Sequence, residues 1–313
     1  MSEIRGAGIL RTRFRGFSGC TRERVARRNG THARIHPSAV VDRSAELGHD
    51  VEVGPFCFVG PNVVLGDGVR LCSHVSIVSN TRVGSGTEVH AGAVLGDDPQ
   101  DLAFDHTESW LEVGERCRIR EGVTLHRGTG AGTVTRIGND CFLMANSHVG
   151  HNARLGNGVI LTNGTLIAGH VEIGDRAVLS GNCLVHQFTR IGRLAMMCGG
   201  SAVQKDVPPF CMTRSLSANS LIGINLIGLR RAGFTSEDIR AVKFAFDTMF
   251  RGRMATPTAV RTLREKSSHP LVVEFCDFVA ASKRGVCRLF RESEIVADGR
   301  GVVDGGNGRE RAA

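Results

Sequence analysis

Residues 149–185 read VGHNARLGNGVILTNGTLIAGHVEIGDRAVLSGNCLV, and every sixth residue of the stretch is aliphatic: Val149, Leu155, Leu161, Ile167, Ile173, Leu179 and Val185. Forward, the phase continues through Ile191, Met197 and Val203. Backward, it passes Leu143 and Ile137, then Leu125, Ile119 and Val113, then Leu95, Val89, Val83, Ile77, Leu71, Leu65, Val59, Val53, Leu47, Val41 and Ile35. Gly often follows directly, as in Val53-Gly54, Leu65-Gly66 and Leu155-Gly156, and a small residue recurs four places after the aliphatic one.

A period of six is neither the 3.6 of a helix nor the 2 of a strand. It suits a short flat strand followed by a tight turn. The aliphatic residue points inward, Gly is expected to supply the turn conformation, and the small residue fills the corner. Three such units close a triangular coil, and coils stack through parallel ladder bonds about 4.8 Å apart. The predicted fold is an all-β solenoid, a left-handed parallel β-helix of hexapeptide repeats whose core is a column of aliphatics, with a small C-terminal helical domain.

Two stretches, 97–112 and 127–136, carry polar residues where aliphatics are due and are expected to loop out of the prism without losing the phase. After Val207-Pro208-Pro209 the period stops. Phe234-Thr235-Ser236-Glu237-Asp238-Ile239 reads as a helix start with Thr235 as N-cap and Asp238 at N3. Further helices are expected over 256–266 and 270–282. The predicted organisation is a basic arm at 1–34, a β-helix over 35–208, helices within 209–290 and a tail at 291–313. Arm and tail have the composition of disordered chain. The arm also reads as a transit-like leader or as residues upstream of the true start.

The formal charge of +8 first suggests nucleic acid. However, nine Arg precede the repeats, within residues 1–34, and no motif or aromatic-and-basic groove accompanies them, so nucleic-acid binding is not expected. The ten Cys include no CxxC pair, and Cys57, Cys117, Cys141 and Cys183 all occupy the small-residue place of the repeat, as reduced core cysteines of a cytoplasmic protein would. No apolar run is long enough to cross a membrane.

Residues one coil apart lie above one another. The units starting at Val149, Ile167 and Val185 therefore stack His151, His170 and His186. If 127–136 loops out, the Leu125 unit adds His126, and His148 sits at the corner before Val149. Five of 12 His on one face suggest either a metal site or general-base catalysis with imidazoles that hold a polar substrate.

Several local words resemble one family. Leu125-His126-Arg127-Gly128-Thr129, Asn146-Ser147-His148-Val149-Gly150-His151, Leu166-Ile167-Ala168-Gly169-His170-Val171, Val185-His186-Gln187-Phe188 and Asp206-Val207-Pro208-Pro209 resemble the UDP-N-acetylglucosamine O-acyltransferases of lipid A synthesis. So do Gln100-Asp101-Leu102 and Gly228-Leu229-Arg230-Arg231-Ala232-Gly233-Phe234. The resemblance implies a cytoplasmic homotrimer with active sites between prisms. It implies transfer of a 3-hydroxyacyl chain from acyl carrier protein to the sugar 3-hydroxyl, with no cofactor or metal. His151 would be the general base and the Gly169 N–H would face the oxyanion. Asp101, His148 and His170 would orient the sugar. Gln100, His126, His186, Gln187, Asn225 and Arg231 would contact nucleotide, phosphates or acyl chain, and Gly199 would set acyl length.

The sequence departs from the family pattern at Asn152 (usually Asp), Ala103 (Lys), Ile227 (Glu) and Ala232 (Arg). These departures keep two alternatives open: N-acylation of a 3-amino sugar nucleotide, and a non-catalytic paralogue that binds sugar nucleotide or acyl carrier protein. The later N-acyltransferase of the pathway typically carries an N-terminal uridine-binding domain, for which 34 residues leave no room. A carbonic-anhydrase-like zinc prism lacks matching flanking words.

Overall fold

The computed structural model describes residues 24–25 and 32–290. The disorder expected of the arm and tail falls almost wholly outside these residues. Within them, Arg24–Val25 pairs antiparallel with Arg34–Ile35, the first strand of the prism.

Two-residue strands recur every six residues and form three parallel sheets, one per face. The first face carries Ile35, Val53, Leu71, Val89, Ile119, Leu143, Leu161, Leu179 and Met197. The second carries Val41, Val59, Ile77, Leu95, Leu125, Val149, Ile167, Val185 and Val203. The third runs from Leu47 to Ile191. From Val53 onward nearly all of these side chains are withdrawn from solvent, which stabilises each by roughly 1.5–3 kcal/mol relative to exposure. The left-handed β-helix is therefore held by a continuous aliphatic column.

The glycine expectation needs correction. Gly directly after the aliphatic residue is, except at Gly96, not the left-handed residue of the turn. That conformation falls two places later, at Asn62, Asn146, Asn152 and Asn182 among others, with φ of 55–60°. Gly is selected instead by close stacking: a Cβ on Gly174 would lie 2.6 Å from the Arg193 nitrogen of the next coil. Asn tolerates positive φ better than most residues, which explains its recurrence at the turn.

Register shows how the excursions keep phase. Val59 pairs with Ile77, 18 residues on, but Leu95 pairs with Leu125 and Leu125 with Val149. Two coils are thus lengthened by whole hexads, both at the corner between second and third faces. The loops are shorter than 97–112 and 127–136, because Val94–Asp97, Trp110–Val113 and Val134–Ile137 are strands. Thr135 looked like loop because it is polar. It is buried in a strand, and its hydroxyl accepts the Asn152 N–H at 2.7 Å.

Cys57, Cys117, Cys141 and Cys183 are free and buried. Their thiols lie against carbonyls of the following coil, as Cys141 Sγ does with Gly156 O at 3.2 Å.

Beyond the prism, Cys211–Thr213 and Ser220–Ile224 extend the first sheet. Helices follow: α1 (Leu226–Arg231), which the sequence reading did not anticipate, α2 (Ser236–Phe250), α3 (Thr256–Lys266) and α4 (Pro270–Ala280). Thr235 and Asp238 form the capping box of α2. Arg193 donates two bonds to Glu274 of α4 at 2.9 and 2.6 Å, and buried Asp206 accepts from Arg190 at 3.1 Å and from Ser282 Oγ at 2.7 Å. These bonds fasten the helices to the base of the prism.

Candidate active site

The pairing of Leu125 with Val149, Val149 with Ile167 and Ile167 with Val185 stacks all five expected histidines along the second face. Four of them, all but His170, border a groove of about 500 Å³. His126, His148, Gly150, His151, Gly169, His186, Gln187 and Gln100 line it, together with the aliphatic Leu166 and Leu184.

His148 is not at the corner. It lies on strand His148–Val149, where the residue before the aliphatic points outward. Its Nδ1 is 2.7 Å from Thr124 Oγ1, and its ring meets His126 edge-to-face at 5.2 Å. Burial, and then the His126 and His151 imidazoles, push its pKa down to about 4, so it is neutral at physiological pH. His126 Nδ1 is engaged by the Asp98 carbonyl.

His151 is buried to within 8 % of full cover. Its Nδ1 lies 3.0 Å from Asn152 Oδ1, which also accepts the Thr129 N–H at 2.9 Å. Only the amide oxygen can take an N–H, so the Thr129 bond fixes the Asn152 flip. That oxygen then requires a hydrogen on Nδ1, which leaves the Nε2 lone pair free to accept a proton. The Nε2 edge abuts Gly169, whose Cβ, were there one, would lie 2.5 Å from Nε2. The Gly169 N–H has no hydrogen-bond partner among the described residues. A free ring nitrogen and an unused backbone donor therefore stand side by side in the groove lining.

His170 meets His151 edge-to-face at 5.2 Å and stacks on Phe188 at 4.7 Å. Burial lowers its pKa, as does His151, against an opposing pull from Asp101 of the 98–109 loop. The loop itself is clamped. Arg127, buried, bonds Asp98 at 2.6 Å and Ser79 Oγ, and its guanidinium lies 5.5 Å from the centre of the Phe104 ring. Among the described residues of the single chain no group of three or more His, Cys, Asp and Glu side chains is arranged to hold a metal ion.

The chain is matched by known proteins. Residues 206–287 match the family model "Udp N-acetylglucosamine O-acyltransferase; Domain 2", and residues 135–169 match the bacterial transferase hexapeptide model. An acyl-[acyl-carrier-protein]--UDP-N-acetylglucosamine O-acyltransferase of Sulfurihydrogenibium is 54 % identical over 255 residues, covering 80 % of this chain and 93 % of its own. The chain belongs to the UDP-N-acetylglucosamine O-acyltransferase family. Solved acyltransferases of the same name agree. The one from Bacteroides fragilis superposes with a TM-score of 0.79 at 38 % identity, covering 81 % of this chain and 100 % of its own. The one from Arabidopsis gives 0.73 at 32 % identity, covering 81 % and 100 %.

Not all site residues expected of a member of this acyltransferase family reach the groove of the single chain. Asn225 caps α1: its Oδ1 accepts the Gly228 N–H at 2.9 Å and its Nδ2 donates to Leu194 O at 2.9 Å. Arg231 stands exposed at the end of α1. Gly199 lies at the corner between first and second faces, where an added Cβ would meet only the Gly181 carbonyl, at 3.7 Å. Of the family departures, Asn152 touches His151, while Ile227 is exposed on α1.

Sequence reading assigned no role to Asp98, Thr124 or Phe188, and none to Arg127 beyond its place in the family word. Asp98 and Arg127 meet because Asp97 pairs with His126 on the next coil, a register that a regular coil count misses where the coil is lengthened. Phe188 is one coil from His170, and that spacing could have revealed the stack.

Proposed function

We propose that this chain transfers a (R)-3-hydroxyacyl group from acyl carrier protein to the 3-hydroxyl of UDP-N-acetylglucosamine, the first step of lipid A biosynthesis. The observation that carries the reading is the His151 ring, its Nδ1 3.0 Å from Asn152 Oδ1 and its Nε2 against Gly169, a geometry that calls for the Nδ1–H tautomer. A sugar hydroxyl is a poor nucleophile until a base takes its proton. Nε2 accepts that proton as the oxygen attacks the thioester carbonyl, and the Gly169 N–H stabilises the oxyanion that develops. Collapse breaks the C–S bond, and the imidazolium returns the proton to the departing thiolate. Asn152 Oδ1 steadies the imidazolium as a dipole rather than as a full charge.

In this reading Asp101 and His170 orient the sugar together with His148. Gln100, His186, Gln187 and His126 line the path of nucleotide and acyl chain, and Gly199 leaves room for a longer chain. The groove is open along one side, where Leu166 and Leu184 are 44 % and 47 % exposed. A cytoplasmic homotrimer with parallel prisms would cover that side and bring Asn225 and Arg231 of a neighbour towards it. No helix among the described residues is long and apolar enough to cross a membrane.

The test is turnover of UDP-N-acetylglucosamine with 3-hydroxyacyl carrier thioesters of several lengths, the product being examined for ester against amide. Ester formation is expected. Absence of turnover with every thioester, or an amide product on an amino-sugar acceptor alone, would reject the reading. Light scattering at micromolar concentration should give three chains; a monomer would reject the shared site.

A further inference from the structure

The groove lining contains histidines and glutamines but neither Lys nor Arg. Its end nearest the helices is different. Segment 282–287 runs back across the base of the prism after α4 and is pinned on both sides of Arg284. Upstream, Ser282 Oγ donates to Asp206 at 2.7 Å. Downstream, the Asp206 N–H donates to Gly285 O at 2.9 Å and the Cys287 N–H to Asp206 O at 2.8 Å. Gly285, at φ +75°, makes the turn between them. Arg284 is thus held over the last coil. Its Nε donates to Gln204 O at 2.9 Å, and its Nη2 lies 3.4 Å from His186 Nδ1. Gln204 and His186 both line the groove.

Arg284 has no carboxylate partner among the described residues, and neither have Lys283 beside it or Lys205 at the turn below Gln204. The nearby acid, Asp206, is buried and occupied by Arg190 and Ser282. A guanidinium held beside two groove-lining residues, with no carboxylate partner among the described residues, is suited to an anion with several acceptor oxygens.

We propose that Arg284, supported by Lys283 and Lys205, binds a phosphate group of a ligand lying in the groove. The inference rests on the acyl-transfer reading, in which two ligands bring phosphate: the prosthetic arm of the carrier and the nucleotide. Both present the same chemistry, anionic phosphate oxygens within a polar chain.

Calorimetric titration of the full chain with two probe pairs separates them: 4′-phosphopantetheine against pantetheine, and UDP against uridine. The wild-type protein is expected to bind one phosphorylated probe more tightly than its dephosphorylated counterpart. Arg284→Gln should weaken that probe about tenfold and leave the counterpart unchanged. The pair that responds identifies the source of the phosphate. Three results would overturn the proposal: a wild-type protein that discriminates within neither pair, an Arg284→Gln protein with unaltered affinity for both phosphorylated probes, or equal losses for phosphorylated and dephosphorylated probes, which would mean the segment only shapes the groove. The wild-type comparison stands even if the variant fails to fold. Because binding is read directly, failure here is distinct from failure of turnover.

Discussion

Asn152 Oδ1 stands 3.0 Å from His151 Nδ1 and takes the Thr129 N–H at 2.9 Å, so one amide oxygen both orients the His151 imidazole and ties it to the second loop. Asn152 can do this from a left-handed backbone, φ +60°, because its turn position forces that conformation and Asn accepts it.

Replacing that oxygen dipole by a charge tests the arrangement. Asn152→Asp keeps the geometry and places a carboxylate on Nδ1–H, which favours the imidazolium. The acidic limb of the kcat/KM profile should move to higher pH while thermal stability changes little. Asn152→Ala should lower kcat by about tenfold or more, since the tautomer is no longer held. An unmoved limb in Asn152→Asp would show that position 152 does not tune the base.

Gly169 carries a steric prediction. A Cβ there would lie 2.5 Å from both Nε2 and Cε1 of His151, so Gly169→Ala must push the imidazole out of place. kcat is expected to fall on the order of 10²-fold with the fold retained, because the turn itself need not change. Near-native turnover would separate Gly169 from the reacting centre.

His148 sets a pH dependence of stability. Its folded pKa of about 4 lies below its unfolded value near 6.5, so the unfolded chain binds the extra proton more readily. Its neutral burial is harmless above pH 6.5, and stability is lost as pH falls from there towards 4. The loss reaches roughly 3 kcal/mol if the full shift is realised. Urea unfolding between pH 7.5 and 4.5 should show it, and His148→Asn should flatten that part of the curve. Equal slopes in both proteins would contradict the assignment.

The six-residue period and the second-face histidines were legible from sequence because both depend only on spacing: a coil turns 18 residues into one step, as the pairing of Val149 with Ile167 shows. The excursions were legible in place but not in extent. Thr135 hid a strand because a buried hydroxyl looks like loop until its partner, the Asn152 N–H, is known. Arg284 was out of reach for a related reason. Its position follows from a return of the chain after α4 that carries no periodic signal.

The loop clamp gives a prediction about substrate affinity. Arg127 is buried and its Nε has no hydrogen-bond partner among the described residues, so Asp98 supplies much of the compensation for its charge. Asp98→Asn should destabilise the protein by about 1–3 kcal/mol, less than a fully buried pair because Asp98 is partly exposed. Freeing the loop that carries Gln100 and Asp101 should raise KM for the sugar nucleotide more than it lowers kcat. An unchanged KM in steady-state assays would show that the clamp serves stability alone.

The central claim is that His151 takes the proton from the acceptor hydroxyl. Its most direct test is single-turnover acyl transfer from a 3-hydroxyacyl carrier thioester to UDP-N-acetylglucosamine, comparing wild type with His151→Ala at matched oligomeric state. The rate should fall by a factor on the order of 10² to 10⁴ in the variant. A His151→Ala protein that transfers acyl groups within a few-fold of the wild-type rate would contradict the account and move the base to another imidazole of the same face.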